Sequence, residues 1–367
     1  MRLNTSADVS AAVAVRSPLS QSEFPADGSA RSKLEFLIRY AILAPSGHNT
    51  QPWKFRINGS TLDVVGDLSR AMPITDPDNR ELVMSCGAAL LNLRVAARNF
   101  GLVVQAELCP EPDEPELLAR LCLTGVAPSG RTDFRLFKAI RERRTTRLPF
   151  EPRQIPRALL FRWQKAAMYE EAWMAIVDVP DTRRAIARMI AEGDGILASR
   201  AGYRSEIAGW MRSNDTACRD GLPGYSVGFG SLSSRLSPPT MNSFGSAQGR
   251  RDEELVLRAP GFCVLGTETD TARDWMLAGQ ALGRVLLSAQ SEGVTASFFL
   301  QPVEVPELRN KLMELLPEER GYPQIAFRLG YAPRVAPTPR RPLGEVVSVE
   351  SNHTHEETDA EDLPVVG

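Results

Sequence analysis

Lysine is scarce in this sequence. Only Lys33, Lys54, Lys138, Lys165 and Lys311 occur among 43 basic residues, so arginine carries nearly all the positive charge and no single arginine is a signal by itself. Net charge is nearly absent too, at −2 over 367 residues. That removes the global field that draws proteins to nucleic acid or anionic membranes and leaves a small molecule as the expected partner. The five cysteines, Cys86, Cys109, Cys122, Cys218 and Cys263, are odd in number and include no Cys-x-x-Cys pair. Neither a disulfide framework nor a zinc site is announced, and a reducing cytoplasm fits. Of the three histidines, His353 and His355 stand in a polar, acidic stretch that makes a poor metal site, so no metal is expected. No apolar run approaches the roughly 18 residues of a membrane span, and the first residues lack a continuous apolar signal core, so a soluble cytoplasmic protein is expected.

What is present is a normal apolar share, 43%, enough for a substantial core in one or two domains. Residues 1–30, rich in Ser, Ala and Pro without periodicity, read as a flexible lead-in. Leu34, Leu37, Ile38, Ala41 and Ile42 recur at helical spacing until Pro45. Trp53–Ile57, an Asn58-Gly59 turn and Leu62–Val65 predict a hairpin. A helix over about Arg80–Phe100, apolar on all sides, predicts burial against another helix or subunit. Leu102–Leu108 reads as a strand, and Ser129-Gly130 closes a first half over 31–130.

A second copy follows over 131–344. Gly279, Ala281, Leu282, Val285, Ala289 and Gly293 repeat Gly87, Ala89, Leu90, Leu93, Ala97 and Gly101 at a constant offset of 192 residues, with five of the six identical. Trp173 and the strand Met174–Val177 answer Trp53 and Lys54–Ile57 at an offset of 120, so the second copy carries roughly 192 − 120 = 72 extra residues. Within an insert over about 203–252, residues 219–250 are dense in Gly, Ser and Pro, which argues against a regular helix or central strand. Tyr225, Phe229 and Phe244 suggest packing onto something, as a lid would, with a disordered loop as the alternative. Thr295–Leu300 and Pro323–Tyr331 read as further strands, Pro333–Pro342 as an extended arm, and Glu345–Gly367 as a solvated acidic tail.

Two stretches concentrate chemistry. Ala44–Phe55 (APSGHNTQPWKF) crowds Ser46, His48, Asn49, Thr50 and Gln51 between a helix and a strand, and is either a binding loop or an ordinary polar turn. In the repeat, Ala166, Tyr169 and Glu171 replace Ser46, Asn49 and Gln51, so the polarity is lost while the tryptophan is kept. Ile140–Phe150 gathers Arg141, Arg143, Arg144 and Arg147 around Thr145 and Thr146. Forked guanidiniums beside hydroxyls suit a phosphate dianion, and a solvated basic face is the bland alternative. A Ser46/His48 nucleophile is discounted, because no orienting acid or oxyanion site is announced.

Taken together, the PS-x-x-N-x-QPW loop, RRTTRLPF, the repeated GxALxxL helices and the ending GYPQIAFRLGYAP…RRPL resemble the nitroreductase family, specifically its fused, Acg-like branch, over about residues 31–345. The resemblance implies an α+β, nitroreductase-like three-layer sandwich, internally duplicated so that one chain mimics the family homodimer. It implies FMN as cofactor, NAD(P)H as reductant, and ping-pong hydride transfer to a nitroaromatic or quinone-like acceptor. Pro45, Ser46, Asn49 and Gln51 would line the isoalloxazine, with Arg143, Thr145 and Arg147 and Arg340 or Arg341 on the phosphate, and Arg144 close to both. Backbone donors near the flavin are assigned to Gly293–Ala296 by position. The chain would be a pseudo-dimer by itself, whether monomer or homodimer. The alternative within the branch is a flavin-sequestering protein whose lid closes the site.

Overall fold

The computed structural model describes residues 19–126, 134–227, 246–316 and 321–349. Order begins earlier than the sequence reading of a lead-in through residue 30. Phe24 stacks on Phe100 with ring centroids 4.4 Å apart, and Glu23 pairs with Arg39 at 2.6 Å. One aromatic side chain with a ready partner anchors a stretch that composition describes as loose. The part of the lead-in before residue 19 lies outside the described residues, as does the boundary placed at residue 130.

Helix α1 (Ala30–Ala41) starts where the Ser29 hydroxyl accepts from Ser32 N and buries Leu34, Leu37, Ile38 and Ala41. The predicted hairpin forms as β1 (Trp53–Asn58) and β2 (Thr61–Gly66). Helix α2 (Arg80–Asn99) is buried at every residue from Leu82 to Leu93, as an apolar circumference requires. Strands β3 (Leu102–Leu108) and β4 (Leu117–Val126) complete a first, antiparallel run β1-β2-β4-β3.

The second half opens with α3 (Phe134–Glu142), α4 (Arg157–Met168) and β5 (Trp173–Ile176). Then come β8 (Gly261–Thr267), α8 (Ala272–Ser291), β9 (Thr295–Phe299), the short α9 (Gln301–Glu304), α10 (Pro306–Glu314) and β10 (Tyr322–Gly330). Its sheet runs β5-β8-β10-β9, all antiparallel, which is the order of the first half with each strand replaced by its counterpart.

Between β5 and β8, where the first half has a two-residue turn, lie α5 (Pro180–Ser199), α6 (Tyr203–Gly209), a ribbon of β6 (Met211–Arg212) with β7 (Leu222–Pro223), and α7 (Ser246–Leu257). The insert therefore begins before residue 203. Its helix α7 takes in residues 246–250, which glycine and serine content had argued out of any helix. Residues 228–245, with Phe229 and Phe244, lie outside the described residues.

The layers are sheet, helices, sheet. Helix α2 packs on the first sheet and α8 on the second, and the two helices pack on each other. A further helical layer from the insert, with Ile186, Ile190 and Val256, covers the outer face of the second sheet through Phe262, Val264 and Ala326. That is why β8 is buried at all seven residues while β2 alternates.

Where α2 crosses α8, a Cβ on Gly87 would stand 2.3 Å from Met276 O, and one on Gly279 would stand 2.0 Å from Met84 O. Since 276 − 84 = 279 − 87 = 192, the two are one contact made twice with the halves exchanged. Both helices stop at a glycine in the left-handed region, Gly101 at φ +71° and Gly293 at φ +73°, again 192 residues apart.

The chain then returns to the first half. After the extended arm and α11 (Leu343–Val346), β11 (Val347–Val349) pairs in parallel with β1, Val347 opposite Phe55. The tail expected to begin at Glu345 is thus part of the fold through residue 349. A β1 edge with unpaired backbone groups accepts a strand whatever the charge of its neighbours.

Candidate functional site

The polar loop between α1 and β1 is held in a costly shape. His48, Asn49 and Gln51 have φ of +46°, +56° and +52°, a region that disfavours side-chain-bearing residues by about 1–2 kcal/mol each. Side chains hold it there. Ser46 Oγ accepts from Gln51 N at 3.0 Å, and Asn49 Nδ2 donates to Gly221 O at 2.9 Å and Pro339 O at 3.2 Å. Gln51 Nε2 donates to Arg219 O at 2.8 Å, and its carbonyl accepts from Arg341 N at 2.8 Å. Arg340 donates to Asn49 Oδ1 at 2.9 Å, Ala44 O at 3.1 Å and Leu43 O at 3.3 Å. The loop spends its own backbone donors on this shape, with Asn49 N donating to Ser46 O at 3.1 Å and Thr50 N to Gly47 O at 2.9 Å.

The arginine stretch is laid along the free edge of β9. Thr145 forms a parallel bridge with Ala296, Thr146 N donates to Ala296 O at 3.1 Å, and Thr295 Oγ1 donates to Arg144 O at 3.0 Å. This places Arg143, Arg144, Thr145 and Arg147 on one wall of a cavity of about 480 Å³. Pro45, Ser46, Asn49 and Arg340 line the same cavity. The structure thus brings together eight of the ten candidate residues.

Gln51 and Arg341 do not line the cavity. Gln51 is fully buried, with both ends of its amide used as above, and Arg341 is spent on Gln51 O at 3.1 Å and Glu345 O at 3.0 Å. Loop and arm are made for each other, and motif position alone does not distinguish a residue facing a ligand from one supporting it. The insert joins the same assembly: Tyr225 donates to Pro337 O at 2.7 Å, and Arg147 to Ser226 O at 3.4 Å. The packing expected of Tyr225 is against the arm.

Sequence reasoning missed several cavity residues. Arg328, 1% exposed, stacks 4.2 Å over Phe150 and donates to Leu148 O at 2.9 Å, and burial lowers it to about 10, so it remains a cation at neutral pH. Its signal was a lone charge in the apolar strand PQIAFRLGY. Glu81, Asp194, Glu304 and Asp252 also line the cavity, and nothing in their local sequence marks them.

Burial and then the Arg147 charge lower His48 to about 4, so it is a neutral imidazole at ordinary pH. The unfolded chain, with a histidine near 6.5, binds more protons than the native state between about 4 and 6.5. The stabilisation from this depressed value is therefore full above about pH 6.5 and lost as pH falls toward 4. Against an H48Q variant, the unfolding free energy of the natural protein should gain no more than about 3 kcal/mol across that window and then level off. Urea titrations at several pH values check this, and a pH-independent difference would refute it.

At the position that answers the polar loop in the second half, Glu170 is buried and bonded by Arg94 at 2.6 Å and Arg284 at 2.6 Å, with Gln280 also accepting from Arg94. An ion network occupies the corner where the first half has its loop chemistry. The molecule thus has a composite cavity with an arginine wall from one half and a strained polar loop from the other.

No family model matches the chain. Among curated relatives, it is 29% identical over 318 residues to a protein of Mycobacterium tuberculosis named "putative NAD(P)H nitroreductase", covering 85% of this chain and 90% of that one. It is 27% identical over 324 residues to the "putative NAD(P)H nitroreductase acg" of the same organism, covering 86% and 95%. Among solved structures, the FMN-dependent nitroreductase NfnB from Mycobacterium smegmatis in complex with NADPH aligns with a TM-score of 0.38 and 16% identity, over 59% of this chain and 98% of that one. The resemblance read from the motifs, to the nitroreductase-like Acg branch, is borne out over most of the chain. No described helix is long and apolar enough to cross a membrane.

Proposed function

We propose that this protein binds FMN in the cavity between its two halves and acts as an NAD(P)H-dependent oxidoreductase on a small nitroaromatic or quinone-like acceptor. The observation that carries the reading is that the arginine stretch of one half and the strained polar loop of the other line one cavity. The residues fit the group. Arg143, Thr145 and Arg147 offer forked and hydroxyl donors to a phosphate, and the Ser46 hydroxyl, which accepts from Gln51 N, keeps its proton for a carbonyl or nitrogen of a planar heterocycle. The volume falls within the roughly 300–1,000 Å³ usual for such ligands.

Bound there, FMN would supply two-electron hydride chemistry between NAD(P)H and the acceptor. The chain's own work is to hold the phosphate, orient the ring and exclude water. Arg340 and Arg341 act at one remove by fixing the loop, and Arg328 adds a buried positive charge to the same cavity. The insert, bonded to loop and arm through Arg219, Gly221 and Tyr225, shields one side. We further propose that the chain is a covalent pseudo-dimer with one such site, a reading supported by the shared strand order and the reciprocal glycine contacts.

Purified protein should quench FMN fluorescence with one flavin per chain, and the bound flavin should bleach within seconds of anaerobic mixing with NADPH or NADH. Absence of quenching would sink the flavin reading. Binding without bleaching would sink the oxidoreductase and leave a flavin-sequestering protein.

A further inference from the structure

The polar loop has a second support besides the arm, and it comes from the insert. Arg219, Asp220 and Gly221 lead into β7 and lie along the loop. Gln51 Nε2 donates to Arg219 O at 2.8 Å, Asn49 Nδ2 donates to Gly221 O at 2.9 Å, and Gly221 N donates to Asn49 O at 3.2 Å. Thr50, between those two loop residues, is reached by another route. Arg70 ends the helical turn Leu68–Arg70 after β2; its Nε donates to Thr50 O at 2.5 Å, and its Nη2 bonds Asp220 Oδ2. Three consecutive loop residues are therefore tied, directly or through Arg70, to one short stretch of the insert. Two of them, Asn49 and Gln51, are left-handed.

Asp220 is the joint of this arrangement. Its Oδ1 accepts from Arg212 Nη2 at 2.9 Å and Nε at 3.2 Å, which ties the two ends of the 212–220 turn, while Oδ2 holds Arg70. Both guanidiniums lie over the Trp210 ring, Arg70 at 5.2 Å and Arg212 at 5.8 Å from its centroid. The turn has little freedom to shift. Gly221 has φ +70°, a Cβ on it would stand 2.5 Å from Trp210 O, and Leu222 N donates to that same carbonyl at 2.8 Å.

The three charged side chains are only 16–21% exposed, so salt screens them less than it does a surface pair. Burial pushes the Asp220 carboxyl up, but the hydrogen bonds and charges of Arg70 and Arg212 outweigh it and hold the carboxyl below its ordinary value. It is a carboxylate at neutral pH. None of Arg70, Trp210, Arg212 and Asp220 lines the cavity, so their effect on it passes through the loop.

We propose that Asp220 is a positioning residue for the flavin site, holding Arg70 against the Thr50 carbonyl and so keeping the polar loop in the left-handed shape that presents Ser46 and Asn49 to the cavity. The proposal rests on the reading that FMN binds there. A carboxylate is required because two guanidiniums converge on one group, with an oxygen for each. An amide of the same shape offers a single acceptor and turns N–H donors toward one of the cations. Arg340 fixes the loop from the arm, through Asn49 Oδ1 and Ala44 O, and Asp220 fixes it from the insert, through Thr50.

Asp220→Asn in the full-length protein tests this by two measurements, FMN fluorescence titration and hydrogen exchange of the flavin-free protein. FMN affinity should fall about tenfold, the order of one charge-assisted bond lost. Without flavin, the amides of residues 46–52 should exchange about tenfold faster, while those of α2 between Leu82 and Leu93 keep their natural rates, because the loss is local. Asp220→Glu keeps the charge and both oxygens and should recover most of both losses. Arg70→Gln leaves the Arg212 pair intact and should reproduce the asparagine variant, and it serves alone if that variant does not fold. The double variant should be no weaker than the worse single one, since both cut one link. Natural FMN affinity in both single variants, additive losses in the double, or exchange that speeds in α2 as much as in the loop overturns the positioning role. If the loop loosens as expected but FMN fluorescence is quenched by neither the natural protein nor the variants, the support of the loop stands and the flavin reading falls.

Discussion

An Arg340→Met variant is expected to lose flavin binding by at least a hundredfold and to unfold with a stability about 3–5 kcal/mol lower than the natural protein. The side chain is 8% exposed and donates to Asn49 Oδ1, Thr338 Oγ1 at 2.7 Å, and the carbonyls of Leu43, Ala44 and Pro339. Methionine fills much of the volume but leaves the carbonyls of two buried residues without donors. The loss then spreads, because the same bonds hold Asn49 in the left-handed region, and a loop released from that shape no longer holds Pro45 and Ser46 at the cavity. An Arg143→Gln control separates support from contact. It should weaken FMN by roughly tenfold to a hundredfold, the worth of a charge-assisted bond, with little change in the urea midpoint. If Arg340→Met binds FMN normally, the loop does not depend on the arm and the account of its strain is wrong.

Gly279→Ala should cost about 2–3 kcal/mol, although alanine is the better helix former by close to 1 kcal/mol. Packing wins because the new methyl would meet Met84 O, part of the backbone of a neighbouring buried helix, at 2.0 Å. The helices must separate, and they carry Met84, Ser85 and Leu282 of the cavity wall, so FMN affinity should fall as well. Gly87→Ala should behave alike through Met276 O. The double variant should cost clearly less than the sum, since either methyl already forces the same separation. Strict additivity in urea denaturation would show that the two contacts yield independently, against the reciprocal geometry described for them.

These cases show which features sequence reveals. Periodicity located α2, because a helix apolar on every side has few fates, and the 192-residue repeat announced its partner α8. The hairpin at Asn58-Gly59 and the closing strand β10 were equally plain. Loop chemistry was visible as crowding at Ser46, Asn49 and Gln51, and the arginines as a cluster. The direction of each side chain was hidden. Gln51 and Arg341 carry the same motif credentials as Asn49 and Arg143, yet they complete each other's hydrogen bonds instead of facing the cavity. Glu81, Asp194 and Glu304 were illegible for another reason, because they line one cavity only after three distant segments pack, and no local pattern records a meeting of residues 304 − 81 = 223 positions apart. In α7, composition misled, since glycine and serine disfavour a helix only until tertiary packing pays more.

The pairing of β11 with β1 bears on the order of events during synthesis. Phe55 waits for Val347, 292 residues later, and the polar loop waits as long for Arg340 and Arg341. On a ribosome, the first half emerges with its sheet edge open and its loop unsupported, and it cannot reach its final state as an independent N-terminal unit. The last strand acts as a latch. Nascent chains halted before residue 340 should be cut by protease in the 44–52 loop, and those long enough to expose residue 349 beyond the exit tunnel should resist.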